Sequence, residues 1–570
     1  MEAKHCGDGW HERMVKRTAT ETLDPGSLTE FECRGLSSVA DASELARALG
    51  RLQSSLFLMK NRDNGVLRVS EGESDPFAVR GAHSTVSAGT LNAFVPAIRP
   101  ECLGDPGFLR NHTVRYAYVA GAMANGIAST RLVEEMGRAG MLAIFGAAGL
   151  SPARVEAAIV HLAESIPNVP HGFNLIHSPN EPELESAVAA LYVQRSVRLV
   201  EASAYLRLTL PIVRYRVAGI HRDQVGNIQL PNSVIAKVSR VEVATQFLSP
   251  PPHELLSELV RRNELTLDQA AMAAEIPMAG DVTAEADSAG HTDNRPLVTL
   301  LPTLLALRDK LQGRYRYEQT PRIGGAGGLS TPSAVAGAFS MGAAYVVTGS
   351  INQACVESGS CEAVRKMLAQ AEQADVAMAP AADMFEMGVK VQVLKRGTMF
   401  PMRANRLYEL YRAYPSLDAL PAADRAFVEQ QLLRVPLEEA WQGTRAFFLK
   451  RDPSQVDRAE RDPKHKMALV FRSYLGLSSR WANSGEPSRA MDYQIWCGPA
   501  MGAFNEWTRG TFLEKPENRK VAVVAENLLR GAAALLRQHF LSLQGIHLPA
   551  GLACVHPLEA ATLREVLNNT

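Results

Sequence analysis

The sequence predicts a (β/α)8 barrel, an α/β fold. Three observations point there. Short apolar stretches alternate with helical patterns rich in Ala and Leu. Eight such stretches fit within about 240 residues, the usual size of a barrel. The stretches are almost continuously apolar, as parallel strands covered on both faces must be. The strand candidates are residues 115–120, 141–145, 172–176, 198–202, 234–237, 281–285, 317–323 and 344–347. Helical patterns follow at 127–137, 152–164, 182–194, 253–261, 296–311 and 332–339. A doubly wound open sheet is the alternative, because a count of short strands shifts easily by one.

Residues 1–112 are mixed in texture and are expected to form an N-terminal extension, with an amphipathic helix at 39–52, a strand at 54–59 and a Gly/Ser/Glu-rich loop after Val69. The barrel is expected over 113–400. The βα alternation stops after about Ser360. Patterns such as ANRLYELYRAY and AFVEQQLLR then dominate 401–500, which predicts a helical subdomain inserted after the eighth strand. Residues 501–570 are expected to supply C-terminal helices packed on the barrel, a long one at 518–543 and a short one at 557–567.

The composition is 46% hydrophobic and 21% charged, ordinary for a globular chain. Sixty Lys and Arg balance sixty Asp and Glu, which argues against a general nucleic-acid binder. Seven cysteines are scattered without a CxxC pair or zinc-like spacing, so reduced thiols in a cytoplasmic protein are expected, with no metal site. The first residues carry charges throughout and lack the apolar run of a signal peptide. The longest clean apolar run, 139–150, is too short to span a membrane.

The strongest local signal is RIGGAGGLSTPSAVAGAF, residues 322–339. A strand candidate leads into a glycine-rich run at 324–328, and Ser330 or Thr331 can cap a helix whose first turn suits Pro332. Glycine lets the backbone approach a ligand closely, and free N–H groups there can grip a phosphate. The next strand ends in YVVTGS, so Gly349 and Ser350 offer a second set of donors. Loops after the seventh and eighth strands of a barrel are where phosphate commonly sits. The alternative is that these glycines only make tight turns. No Lys-Ser/Thr follows, so this is not a Walker A loop, and the spacing is not GxGxxG.

A second signal, AEADSAGHTDNRP, lies at the end of the sixth strand, where barrels keep catalytic groups. Glu285, Asp287, His291, Asp293 and Arg295 crowd one loop, and His291 can donate a proton or polarise a carbonyl near neutral pH. A histidine satisfied by backbone is the alternative. Third, YVAGAMANGIAS ends the first strand, and small Gly121, Ala122 and Gly126 allow a flat ring to lie against the backbone; close helix–strand packing explains them equally. Asn174 and Lys237 are polar residues at further strand ends. A lysine there would stabilise an anionic reduced flavin, or serve only as a solvated or ion-paired side chain.

Together these motifs resemble the PfaD family, the trans-acting, FMN-dependent enoyl reductases of polyketide and polyunsaturated fatty acid synthases, a branch of the nitronate monooxygenase-like flavoprotein barrels. The resemblance covers roughly residues 108–548 and includes RYAYVAGAMANGIAS, GFNLIHSPNEPE, IAKVSRVEVA, EADSAGHTDNRP, GGAGGLSTP, MGAAYVVTGSINQA, MFEMGVKVQVLKRGTMFPMRA and DYQIWCGPAMGAFNEW. One departure is Ala289, where the family usually has glycine. The resemblance implies that Gly327, Gly328, Gly349 and Ser350 hold the FMN phosphate. It implies that Gly121, Ala122, Met123, Asn174, Ser288, Ala289 and Gly290 line the isoalloxazine, with Lys237 nearby, and that His291 is the active-site histidine. The implied reaction uses NADPH to reduce FMN and then delivers hydride to the β-carbon of an enoyl thioester. The substrate would arrive on an acyl carrier protein, with the helical insertion covering the flavin; a homodimer is left open. A nitronate monooxygenase-like or other small-molecule FMN oxidoreductase, and a flavin-free assembly subunit, are the competing functions.

Overall fold

The computed structural model describes residues 37–38, 42–61, 67–72, 89–179 and 181–568. The loop expected after Val69 lies mostly outside them. The chain divides into two compact units, Gly104–Leu528 and a second made of Met1–Leu103 with Leu529–Thr570.

In the second unit, strands Leu67–Gly72 and Gly89–Val95 flank Ser55–Asn61 in an antiparallel sheet, with Ser37–Ser38 at one edge. Helix Ala42–Gly50 lays Leu45 and Leu49 on Leu56, Leu58 and Val69, and Leu541 from the chain's other end joins the same core. Arg537, fully buried, donates to the carbonyls of Leu52 and Ser54 (3.3 and 2.9 Å).

The first unit is built on eight parallel strands closed into a barrel: β1 Tyr118–Ala120, β2 Leu142–Phe145, β3 Gly172–Ile176, β4 Leu199–Ser203, β5 Ser233–Val238, β6 Asp281–Glu285, β7 Arg322–Ala326 and β8 Val346–Thr348. β8 pairs with β1 and completes the closure. The open-sheet alternative is therefore excluded. The seventh strand differs from expectation, beginning at Arg322 rather than residue 317 and running through Gly324 and Gly325. Tyr317, with its high strand propensity, lies outside it, whereas two glycines, which strands usually avoid, lie within it. The reason is space. A Cβ on Gly324 would overlap the ring of Tyr345, which crosses behind it to hydrogen-bond Thr283 (2.9 Å) and stack on Phe108 (ring centroids 4.4 Å apart). The N–H of Gly325 is already committed to the Tyr345 carbonyl (2.9 Å). Of the glycine run at 324–328, Gly324 and Gly325 are thus strand residues, and Gly327 and Gly328 lie in the turn that follows.

At the strands' N-terminal ends, Asp281 accepts two hydrogen bonds from Arg322 (2.7 and 3.0 Å) and pairs with His112 (2.9 Å). Burial alone would raise its pKa, but His112 and Arg322 hold the carboxyl below the ordinary aspartate range. This end of a barrel serves stability. The chemistry belongs at the other.

After β8 the chain forms an antiparallel hairpin that the sequence analysis does not anticipate, β9 Val376–Pro380 and β10 Lys390–Leu394, and then a helical insertion. Its main helices are Phe400–Ala413, Leu437–Arg451, Pro453–Arg461 and Pro463–Ser484. The last starts as its sequence dictates: Asp462 accepts from the N–H groups of Lys464 and His465, Pro463 fills the first position, and Gly485 ends the helix at φ +71°. Hairpin and helices share one core, in which Phe385 and Val391 pack with Phe400, Trp441, Phe471 and Tyr474. Each such side chain contributes roughly 1.5–3 kcal/mol on burial. Among the described residues, no helix is long and apolar enough to cross a membrane.

Candidate functional site

One cavity of about 770 Å³ opens at the C-terminal ends of the barrel strands and reaches up into the insertion. The residues expected to hold a cofactor, and His291, line it, whereas Gly126, Asp293 and Arg295 do not. Gly121, Ala122 and Met123 follow β1; Asn174 and Lys237 project from β3 and β5; Ser288, Ala289, Gly290 and His291 follow β6; Gly327 and Gly328 follow β7; Gly349 and Ser350 follow β8.

The two turns after β7 and β8 share a property. The backbone N–H groups of Gly327, Gly328, Gly349 and Ser350 find no acceptor among the described residues. Gly327 and Gly328 have φ of +91° and +75°, and a Cβ on Gly327 would strike the backbone of Ala286 and Asp287 at 2.8 Å. A Cβ on Gly328 or Gly349 would meet nothing within 4 Å. Thr331, not Ser330, caps the following helix by accepting from Ala334 (3.3 Å), so that helix does not consume the free donors. Ser350 Oγ accepts from Gly498 (3.2 Å) and retains its own proton for a ligand. Four residues with unpaired amides lining one cavity can cradle an anion.

The cavity floor is ionic. Lys237 Nζ lies 2.8 Å from Glu285 and 3.9 Å from Glu201. Burial opposes its charge, but the two carboxylates outweigh burial and hold the ammonium above the usual lysine value. Lys237 is thus both ion-paired and cavity-lining. Glu201, on β4, is fully buried; one oxygen accepts from the Ala122 N–H (3.3 Å) while the other has no partner. Burial, reinforced by Glu285, raises its pKa despite Lys237. Asn174 spends both amide protons on Glu201 O (3.1 Å) and Ser203 Oγ (2.9 Å), leaving its carbonyl oxygen for a ligand.

The acidic crowd after β6 sorts itself out. Asp293 turns to Arg240 (2.6 and 2.8 Å), and Asp287 accepts from Asn294 (2.8 Å) and Gln392 (2.6 Å). His291 Nε2 meets Asp383 Oδ1 at 3.1 Å. Burial would lower the histidine pKa, but the charge and hydrogen bond of Asp383, with Glu285 behind, raise it. Sequence reasoning missed Asp383, Glu201 and Gln392. Asp383 immediately precedes the MFEMGVK motif, so the signal was the motif and the missing information was the hairpin. Gln392, whose Oε1 is buried without a partner, lies beside Gly498 of the WCGPAMG motif.

Comparison with known proteins agrees with this architecture. Residues 414–493, within the insertion, match the family described as "[Acyl-carrier-protein] S-malonyltransferase, inserted helical domain". The chain is 45% identical over 462 residues to a polyunsaturated fatty acid synthase subunit of Thraustochytrium sp., covering 80% of this chain and 31% of that protein. It is 42% identical over 447 residues to polyketide biosynthesis protein PksE of Bacillus subtilis, covering 78% and 58%. The chain therefore spans less than two thirds of these relatives' lengths. The enoyl reductase domain of MlnA, from the macrolactin biosynthesis cluster of Bacillus amyloliquefaciens, superposes with a TM-score of 0.74 at 37% identity, covering 78% of this chain and 99% of that domain. The chain belongs to the PfaD family. Ala289, its departure from the PfaD-family glycine, sits against Gly498: a Cβ there would lie 3.6 Å from the Ala289 nitrogen.

Proposed function

We propose that this protein is an NADPH- and FMN-dependent enoyl reductase acting on α,β-unsaturated thioesters carried by an acyl carrier protein. The observation that carries the reading is the cradle of four unpaired amides in the same cavity as a protonatable histidine. The residues present fit FMN: the amides suit its phosphate, the small β1 loop and Ser288–Gly290 leave room for a flat ring, and the cavity lies within the roughly 300–1,000 Å³ of small-molecule sites. When bound, FMN supplies hydride transfer between the nicotinamide and the β-carbon of the substrate. The chain's own residues do the rest. Gly327, Gly328, Gly349 and Ser350 fix the phosphate. Lys237 places positive charge near the ring, moderated by Glu285 and Glu201. His291, whose pKa Asp383 raises, donates a hydrogen bond to the thioester oxygen or a proton to the α-carbon. The kinship with the MlnA enoyl reductase domain and with polyketide and polyunsaturated fatty acid synthase proteins supports this substrate class over a nitronate or other small-molecule oxidoreductase.

Anaerobic mixing tests it. NADPH should bleach the purified yellow protein, and a crotonyl thioester on a carrier protein should restore the colour. A colourless protein, or bleaching without recovery, would overturn the proposal.

The raised His291 pKa has a directional consequence. A step that needs the imidazolium declines as pH rises through that raised value. Asp383→Asn removes the main cause of the rise, so the alkaline limb of kcat/KM should move to lower pH while flavin content is unchanged. An unmoved limb would detach Asp383 from the chemistry.

A further inference from the structure

We propose that the passage between helices Leu437–Arg451 and Pro463–Ser484 admits a 4′-phosphopantetheine arm, and that Arg480 binds the phosphate of that arm. This rests on the carrier-bound substrate proposed above and names the group that the protein grips.

The cavity continues from the barrel mouth between these two helices. Gly443, Phe447 and Arg451 repeat at helical spacing along one wall, and Gly476, Leu477 and Arg480 along the other. Glycine weakens a helix interior relative to alanine. Here a Cβ on Gly443 or Gly476 would meet nothing within 4 Å, so close packing does not require either glycine. Their effect is to keep the passage wide.

Four arginines line this end, and three are committed. Arg472 donates to Ala382 O (2.9 Å) and Glu386 (3.2 Å). Arg489 donates to Leu432 O (2.6 Å), Leu433 O (2.7 Å) and Asp492 (3.3 Å). Arg451 forks onto Glu181 (2.5 and 3.0 Å). Arg480 has no hydrogen-bond or ion-pair partner among the described residues. Its guanidinium lies 5.5 Å from the Phe447 ring centroid, and that of Arg451 lies 5.6 Å from the same ring. Two guanidinium groups share one aromatic side chain, and Glu181 compensates only one. Next door, Asn125 donates to Ser479 Oγ (3.0 Å), which ties the helix carrying Arg480 to the β1 loop at the barrel mouth.

An uncompensated, planar cation at the entrance of a deep cavity calls for an anion that stays outside while the rest of the ligand goes in. Guanidinium suits phosphate, which it can meet with two parallel hydrogen bonds. Phe447 and Leu477, each more than a third exposed, offer apolar surface for the aliphatic part that follows. A phosphopantetheine arm has this order of groups: phosphate, then a branched aliphatic segment, amides, and a terminal thioester. A phosphate of the nicotinamide dinucleotide is the other source of the same chemistry, and the test separates them.

Full-length protein and Arg480→Gln are titrated calorimetrically with 4′-phosphopantetheine and with pantetheine, and their flavin reduction by NADPH is followed. The unaltered protein should prefer the phosphorylated compound by roughly tenfold, the range of one charge-assisted hydrogen bond. Arg480→Gln should erase that preference, leave pantetheine affinity in place and leave the NADPH half-reaction unchanged. Gly476→Leu should weaken both pantetheine compounds alike by narrowing the passage. Equal affinity of the unaltered protein for the two compounds, or a preference that survives in Arg480→Gln, would overturn the assignment. An effect confined to NADPH would overturn it in favour of the dinucleotide. Because binding is read without turnover, a protein that grips the arm yet reduces no enoyl thioester would refute the proposed activity and leave the Arg480 site standing.

Discussion

Replacing His291 with alanine should lower turnover by about 10²–10⁴-fold, the range of general acid–base catalysis, while the protein keeps its flavin. The two halves of that expectation come from different parts of the site. His291 meets Asp383 on the hairpin side, whereas the amides assigned to the phosphate follow β7 and β8. On the proposed mechanism, removing the imidazole deletes a proton donor and leaves the turns after β7 and β8 in place. The half-reaction with NADPH requires no proton from His291, so flavin reduction should stay fast and the loss should fall on re-oxidation by the enoyl thioester. Stopped-flow measurement of the two halves checks this. Loss of flavin from the variant would make His291 a structural residue instead.

Gly328→Asp should release the flavin. A Cβ at this position enters open space, so the side chain is not refused by its neighbours. The φ of +75° strains most residues, but aspartate is among those that tolerate it, so folding should survive. The new carboxylate would stand in the cavity that the four unpaired amides line. Two unit charges of like sign at about 4 Å repel by about 4 kcal/mol at an effective dielectric constant of 20, or roughly a thousandfold in affinity. The purified variant should be colourless, with unchanged far-ultraviolet circular dichroism. Retained flavin would place the phosphate elsewhere.

Much of this was legible from the chain alone, and where it was not the reason is physical. The eight strands could be found because parallel strands buried on both faces leave short apolar runs between helices. The seventh was misplaced because its fit depends on what Gly324 lacks: room for Tyr345, a residue just ahead of the next strand, is invisible to a window of local propensity. His291 could be picked out by its place at a strand end. Its partner could not, since Asp383 is 92 residues away in a hairpin whose second strand alternates (VKVQV, residues 389–393) but whose first, VAMAP, does not, and neither strand shows which loop it would meet. Glu201 is hidden for a related reason. In RLVEASAY it reads as one polar residue in a strand, and only the pairing of β4 with β5 sets it beside Lys237 and only the closed barrel brings the β1 loop over it.

The shared core of hairpin and insertion also bears on how such enzymes can be recombined. The hairpin that carries Asp383 packs with the helices that line the cavity, so the histidine's tuning and the proposed ligand route are inherited as a single cassette. A graft of the helices alone would sever Phe385 and Val391 from Phe400 and Phe471. A graft from β9 through the last wall helix would carry over pH profile and acyl preference together, and selecting chimaeras for one trait should drag the other along.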